Sequence, residues 1–453
     1  MITVITVIET LLALPVLAKV LGTLALILAL NAAMRQLLGA ILCGTLLLGF
    51  WVGHTPAAIA RIAWERLYSL DNLLLMASFF LIIWLSSLMA AAGVMEDLVA
   101  TVAARVPYRT AFAALPAVIG LLPMPGGAVF SAPMVDRVDR DGTLPAWLKT
   151  QTNYWFRHVW EYWWPLYPGV LLALDLTGLE TWRFLVVQLP LSALAILAGY
   201  LFFLRRIPKR VTPVPGSVPA ALDSAAPPAV KPFWGLVAPI LAVIGVYLAL
   251  QLAAPTLTRV SRYLPILIGL VLALAVLQAQ RRPGLSSWRR TVLSGRALQM
   301  AVLIAAIRVY GAVIEARLPG GILLVEQMRG ELTGLGIPAE LFIVLIPLVT
   351  GLALGLNVGT IGASFPVVLS LLGPSPALAP LLSATVLAYA CGYAGQLLSP
   401  VHICLVVTSE YFRTSLLRNL GRLLPPIVVL LAGAYGFSRL LGALGSLAIV
   451  GTP

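Results

Sequence analysis

The sequence predicts an all-α, polytopic membrane protein of about ten transmembrane helices, in two inverted repeats of five that each carry a re-entrant hairpin. Three observations predict it. Apolar runs long enough to cross a bilayer fill most of the chain, a basic and Pro-rich stretch divides it near the middle, and a pattern of Pro and Gly recurs on both sides of that divide.

Of the 453 residues, 60% are hydrophobic and 10% charged, and the mean hydropathy is +0.99. A soluble chain carries about 25% charged residues. An apolar run of ~20 residues spans the ~30 Å hydrocarbon layer as a helix, and in lipid it must be helical because no water is present to satisfy the backbone. The short alternating segments of a β-barrel are missing. The net charge of +13 comes from basic residues in short loops beside apolar runs, where they set topology; it does not point to a nucleic-acid partner. Cys43, Cys391 and Cys404 are widely spaced in apolar surroundings, which suits packing residues better than a disulfide framework or a metal knuckle. Without a basic leader and a small-residue cleavage site, Leu14 onward reads as a retained helix.

Spans are expected near 14–33, 36–53, 70–93, 152–175 and 181–204, then near 232–254, 263–279, 297–317, 377–398 and 424–447. Polar amphipathic stretches at 57–69 and 285–296 precede the third span of each half. Residues 1–204 form the first repeat, with a hairpin at 107–136. Residues 232–453 form the second, with a hairpin at 338–372. Residues 205–231, opening Arg205-Arg206-Ile207-Pro208-Lys209-Arg210, form a linker of the extended, Pro-rich kind. The positive-inside rule places this linker in the cytoplasm, together with Arg105, Arg109, Arg137, Arg140, Lys149, Arg281, Arg282, Arg289, Arg290, Arg296, Arg413, Arg418 and Arg422. Arg61, Arg66, Arg259 and Arg262 then lie outside, as do both termini. The expected location is a cell's inner (plasma) membrane.

The repeat rests on register. Pro107, Pro116 and Gly120 recur as Pro338, Pro347 and Gly351 at one constant offset. After a two-residue insertion, Ser131 and Pro133 recur as Ser364 and Pro366. Five spans per half is an odd number, so the second half inserts with opposite orientation, an arrangement many secondary transporters share. Coincidence in a chain rich in Gly and Pro is the competing explanation.

Broken helices expose unpaired amides and carbonyls, tolerable in a membrane only against protein or a polar cavity. The first tip runs Leu122-Pro123-Met124-Pro125-Gly126-Gly127-Ala128-Val129-Phe130-Ser131 and the second Gly355-Leu356-Asn357-Val358-Gly359-Thr360-Ile361-Gly362-Ala363-Ser364. Asn357, Thr360 and Ser364 carry neutral oxygens suited to a sodium ion or, through their donors, to a carboxylate. A helix contact built on small residues would use the same glycines.

The densest cluster of unusual residues is Asn153 to Gly169, with Arg157, His158 and Glu161 in an apolar span. Ionisable residues there are functional candidates because of their cost. Arg157 and Glu161 stand four apart and could pair along one helix face, and the aromatic residues could form an interfacial belt. Pro165 and Pro168 should interrupt the span. Its counterpart, Cys391 to His402, carries Gln396, Ser399, Pro400 and His402 and suggests a second interruption. His402 could relay protons, bind substrate or serve structure. Arg308 could neutralise an anion or pair with Glu315, seven residues on.

The segments Leu122 to Val135, Asn153 to His158, Trp160-Glu161-Tyr162 and Ser399 to His402 resemble domain-of-unknown-function family 401, a family of prokaryotic integral-membrane proteins. The resemblance spans nearly the whole chain. It implies membership of the ion transporter superfamily, a fold with two re-entrant hairpins, elevator-type movement and, by analogy with related carriers, a homodimer. It implies no substrate. The Ser-Asn-Thr hairpin signature of sodium-dicarboxylate carriers survives only in part, at Asn357-Val358-Gly359-Thr360, and not at Pro125-Gly126-Gly127.

The resulting expectation is a secondary carrier for a small anionic organic solute, symported with Na+ or H+. Pro125, Gly126, Gly127, Ser131, Asn357, Gly359, Thr360, Ser364, Gln396, Ser399 and His402 are the candidate binding residues, and Arg157, His158, Glu161 and Arg308 the intramembrane charges. A channel would share the repeats. An intramembrane enzyme would need paired Asp residues, a Ser–His pair or a zinc motif, and a primary pump a P-loop; these motifs are missing from the sequence. The topology is open to a direct check. Ser217→Cys, in the linker, should react with a membrane-impermeant maleimide from the cytoplasmic face only, above the background of the native thiols. Labelling from outside sealed cells would reverse the orientation.

Overall fold

The computed structural model describes residues 13–121, 127–139, 141–209 and 232–450. Among them all regular structure is helical except an isolated bridge between Arg317 and Leu323. The first half contains α1 (Val16–Met34), α2 (Leu37–Trp51), α3 (Pro56–Leu67), α4 (Leu70–Ala91) and α5 (Val94–Ala103). It continues with α6 (Tyr108–Gly120), α7 (Ala128–Val138), α8 (Ala146–Arg157), α9 (Pro168–Thr177) and α10 (Thr181–Phe202). The second half contains α11 (Phe233–Ala253), the short α12 (Pro255–Val260), α13 (Leu264–Arg281), α14 (Leu285–Val292), α15 (Gly295–Glu315) and α16 (Leu324–Gly334). After these come α17 (Ala339–Leu354), α18 (Asn357–Ser370), α19 (Leu378–Leu397), α20 (Ile403–Tyr411) and α21 (Leu416–Val450).

Eight described helices are long and apolar enough to cross a membrane, and α16 with α17, bent by 114°, passes as a ninth when taken together. Large apolar side chains cover the outside, among them Phe50, Val186, Leu248, Val271 and Val428. An apolar surface of that extent suits lipid and not water. This is a multi-pass membrane protein.

The element order of the first half recurs in the second, with α12 as an insertion. Packing recurs with it: α2 lies on α15 as α13 lies on α4, α5 on α11 as α16 on α1, and α9 on α18 as α20 on α7. Several elements differ from expectation. The run 36–53 yields a helix of only 15 residues. The run 152–175 is two helices, α8 and α9, separated at 158–167. Helices α5 and α16 had no span predicted. Each begins with acidic residues in its first turn, Glu96 and Asp97 or Glu326, which favour a helix N-terminus while lowering the apolar signal. Residues 210–231, most of the linker, lie outside the described residues.

Neither 107–136 nor 338–372 is one continuous helix. The second breaks after α17 at Gly355, whose φ of +60° is left-handed backbone, the usual helix terminator that glycine adopts without strain. Helices α6, α7, α17 and α18 contain 13, 11, 16 and 14 residues. At 1.5 Å per residue each is about 16–24 Å long, short of the hydrocarbon thickness.

Close backbone approach holds these short helices against their neighbours. A methyl group on Gly351 of α17 would overlap the Gly392 carbonyl of α19, and one on Gly120 of α6 would overlap the Arg157 carbonyl of α8. Gly120 and Gly351 are the pair already related by the sequence repeat. Replacing Gly351 by Ala should therefore destabilise the protein by ~1–3 kcal/mol, as overpacking does, whereas Gly245→Ala, where nothing lies within 4 Å, should be neutral or slightly stabilising. Thermal unfolding in detergent measures both, and equal melting temperatures would contradict the packing described.

Candidate functional site

Three described interruptions meet in the interior, 158–167 between α8 and α9, Gly355–Leu356 between α17 and α18, and 398–402 between α19 and α20, and the described ends of α6 and α7, Leu121 and Gly127, adjoin them. Gly127 abuts the Arg157 guanidinium, and Gly169 at the start of α9 abuts the Asn357 amide at the start of α18. A Cβ on Gly355 would stand 2.8 Å from Ser399 Oγ. Across the centre, His158 Nε2 lies 3.2 Å from His402 Nε2, and Gln396 donates to Glu161 Oε2 at 3.2 Å. Arg157, His158, Glu161 and His402 are all buried.

The carbonyl ends of the broken helices have side-chain donors. On α6, Trp160 Nε1 donates to the Ala117 carbonyl at 2.7 Å, Trp164 Nε1 to the Leu121 carbonyl at 2.9 Å, and the Tyr167 hydroxyl to the Gly120 carbonyl. In the 158–167 break, Tyr393 Oη donates to the His158 carbonyl and Tyr389 Oη to the Glu161 carbonyl, each at 2.6 Å. Tyr154 Oη caps the Leu397 carbonyl at 3.0 Å, and Ser399 Oγ the Leu352 carbonyl at 2.7 Å. The aromatic residues at 154–167 are therefore not an interfacial belt. Tyr154, Trp155 and Tyr162 are fully buried, and several of the others serve as caps.

The amide ends differ. Helices α7, α9, α18 and α20 all begin at the centre, and none has a side-chain hydrogen bond from its N-cap residue. Elsewhere the protein has an example of what such an end accepts. At the start of α1, the Val16 and Leu17 amides donate to the two carboxylate oxygens of Glu331, at 2.9 and 2.7 Å. Helix N-termini attract anions because their free amides and dipole are positive. Arg157, against Gly127 and Cys404, adds a positive charge at the centre.

Of the residues predicted from sequence, Pro125 and Gly126 lie outside the described residues. Gly127 packs on Arg157. Ser131 is fully buried, and its hydroxyl has no hydrogen-bond partner. Asn357 lies at the centre, 3.4 Å from Tyr389 Oη. Thr360 and Ser364 hydroxyls donate to carbonyls one turn back, those of Leu356 and Thr360, and Gly359 packs on Leu37 away from the cluster. Gln396, Ser399 and His402 all reach the centre.

Two predicted pairings are corrected. Helix α8 ends at Arg157, so Glu161 does not share its helical face; Glu161 Oε1 instead sits 3.8 Å from His158 Nε2. Arg157 Nη1 donates to Cys404 Sγ at 3.1 Å, which gives Cys404 a polar partner that packing alone would not. Arg308 does not pair with Glu315. It forms a buried ion pair with Asp175, whose other oxygen accepts from the Tyr263 hydroxyl, while Glu315 pairs with Arg66. Asp175 is detectable in the sequence as a lone carboxylate in an apolar run, and Tyr389 and Tyr393 repeat the spacing of Tyr154 and His158.

The sequence profile described as protein of unknown function (DUF401) matches residues 52–437. No curated protein matches the chain. The fold is similar to that of the solved Alcanivorax borkumensis YdaH transporter, with a TM-score of 0.57 and 15% identity over 88% of this chain and 90% of that one.

The Arg308–Asp175 pair can be tested for its structural weight. Removing one partner of a buried pair leaves an uncompensated charge and costs ~3–5 kcal/mol, whereas replacing both by apolar residues is often tolerated. Arg308→Met alone should strongly lower thermal stability, and Arg308→Met with Asp175→Leu should restore most of it. Equal loss in the single and double variants would mean the pair is not coupled.

Proposed function

The chain belongs to the DUF401 family, and from that premise and the geometry of its interior we propose that it is a secondary carrier for a small anionic organic solute. The observation that carries the proposal is the asymmetry of the helix breaks. Their carbonyl ends are capped by tyrosine, tryptophan and serine donors, while four helices start at the centre without N-cap side-chain bonds, two of them, α7 and α20, against Arg157 at Gly127 and Cys404. An anion entering the centre would meet donors already oriented and a guanidinium that needs no proton to be charged. The Glu331 carboxylate at the start of α1 is the internal precedent for such a contact.

In this reading 107–136 and 338–372 are re-entrant hairpins. Their arms are shorter than a span, and the described residues Gly127 and Gly355 adjoin the same cluster. The two halves insert in opposite senses, as the recurring element order and reciprocal packing suggest. The hairpins move with α8, α9, α19 and α20 as one body against the remaining helices, an elevator-type cycle in the inner membrane with the 205–231 linker in the cytoplasm. A Na+ or H+ gradient supplies the energy. The likeness to a solved transporter supports the fold on which this depends.

Reconstituted protein should take up small carboxylates into proteoliposomes with saturation, and with dependence on an imposed Na+ or H+ gradient. Arg157→Gln removes a charge-assisted contact worth ~1.5–3 kcal/mol and should weaken apparent affinity about 10- to 100-fold. Ser131→Ala and Asn357→Ala should also lower transport. Unchanged transport in both would take the hairpins out of the mechanism, and conductance without saturation would favour a channel.

A further inference from the structure

The central cluster contains a group of side chains that an anion site does not use. His158, His402 and Cys404 are all buried, and their ligating atoms lie within 4.8 Å of one another. We propose that His158 Nε2, His402 Nε2 and Cys404 Sγ bind a zinc-class divalent metal ion at the junction of the 158–167 and 398–402 breaks, and that the Glu161 carboxylate, beside His158 but outside that group, turns in as fourth donor. The proposal goes beyond the transport reading and does not depend on it.

Three features carry it. The first is spacing. Two nitrogens on a tetrahedral zinc at ~2.0–2.1 Å stand about 3.3 Å apart, and the two Nε2 atoms stand 3.2 Å apart. The second is ring orientation. His158 Nδ1 lies 2.5 Å from the Tyr154 carbonyl, which can only accept, so Nδ1 carries the hydrogen and Nε2 turns its lone pair to the centre. A backbone carbonyl holding the far nitrogen is the arrangement metal-bound histidines share. The third is charge. Arg157 Nη1 donates to Cys404 Sγ at 3.1 Å, so the sulfur already faces a cation, and a bound metal ion takes the place of the thiol proton. A thiolate and a carboxylate together neutralise a divalent ion.

The donor set selects among metals. Two imidazoles, a thiolate and a carboxylate suit zinc, whereas all-oxygen sites suit magnesium or calcium. The carboxylate oxygen disfavours cuprous copper, which prefers soft ligands.

The experiment uses the full-length protein purified in detergent and needs no transported solute, so its result stands apart from that of the uptake assay. Dialysis against zinc and then against metal-free buffer should leave about one zinc per chain by elemental analysis. Cobalt loading should give a thiolate-to-cobalt charge-transfer band. Cys404→Ser should abolish that band, and His402→Gln should reduce retained zinc at least tenfold, both in protein that still elutes as a single species. If unmutated, monodisperse protein retains no zinc and gives no cobalt band, the proposal is overturned, and the His158–His402 contact is a hydrogen bond and nothing more.

Discussion

The constraint on which this structure depends is that lipid offers no hydrogen bonds. A helix interrupted inside the membrane strands its last carbonyls and first amides, and each unpaired group there costs several kcal/mol. Interruptions gathered in one small volume multiply that cost. The protein meets half of it with tyrosine, tryptophan and serine side chains, whose hydroxyl and indole donors end on the carbonyls of Ala117, Gly120, Leu121, His158, Glu161, Leu352 and Leu397. This explains the crowding of aromatic residues between Tyr154 and Tyr167. Each brings a donor on a bulky apolar body that also fills the space around the break.

The two halves solve the same problem with different residues. Trp160 donates to the Ala117 carbonyl; at the corresponding place in the second half, Gly395 lets the Leu348 carbonyl come directly against α19. Glu161 and Gln396 occupy corresponding positions and hydrogen-bond to each other, so the halves meet at equivalent residues. The chemistry is nevertheless lopsided. Arg157, His158 and Glu161 face Gly392, Tyr393 and Gln396 at the matching positions. The first half contributes charge, and the second contributes neutral donors and room. An architecture built twice has thus been given one ionic centre.

Most of the fold was legible in the sequence because its signals are local. A span is a count of apolar residues, and a break is a Pro or Gly within it, so Pro165, Pro168 and Gly355 marked interruptions that the structure contains. The site was legible in part. Arg157, His158, Glu161, Asn357, Gln396, Ser399 and His402 stood out as polar residues in apolar runs, and all of them lie at the centre. Pairing was not legible, because it is a property of distant segments. Arg308 meets Asp175 from another half of the chain and not Glu315 from its own helix. Cys404 looked apolar until Arg157 was beside it. Helices α5 and α16 escaped because amphipathic segments with acidic first turns resemble loops when apolar length is the only measure.

On the carrier reading, these bonds also indicate what can move. The caps from Tyr154, Trp160, Tyr167, Tyr389, Tyr393 and Ser399 join α6, α8, α9, α17 and α19 to one another. A rigid displacement of that group would keep every one of them, whereas the bonds from Ser192 of α10 to the Val159 carbonyl and from Trp155 to the Ala195 carbonyl would persist only if α10 moved with it. The Arg308–Asp175 pair is different, since it ties α9 to α15, outside the group. Separating two charges in a low-dielectric interior is costly, and sliding α9 past α15 would have to exchange this contact for another or rehydrate it. On that reading the caps define the moving body, and the ion pair together with the bonds to α10 resists its movement.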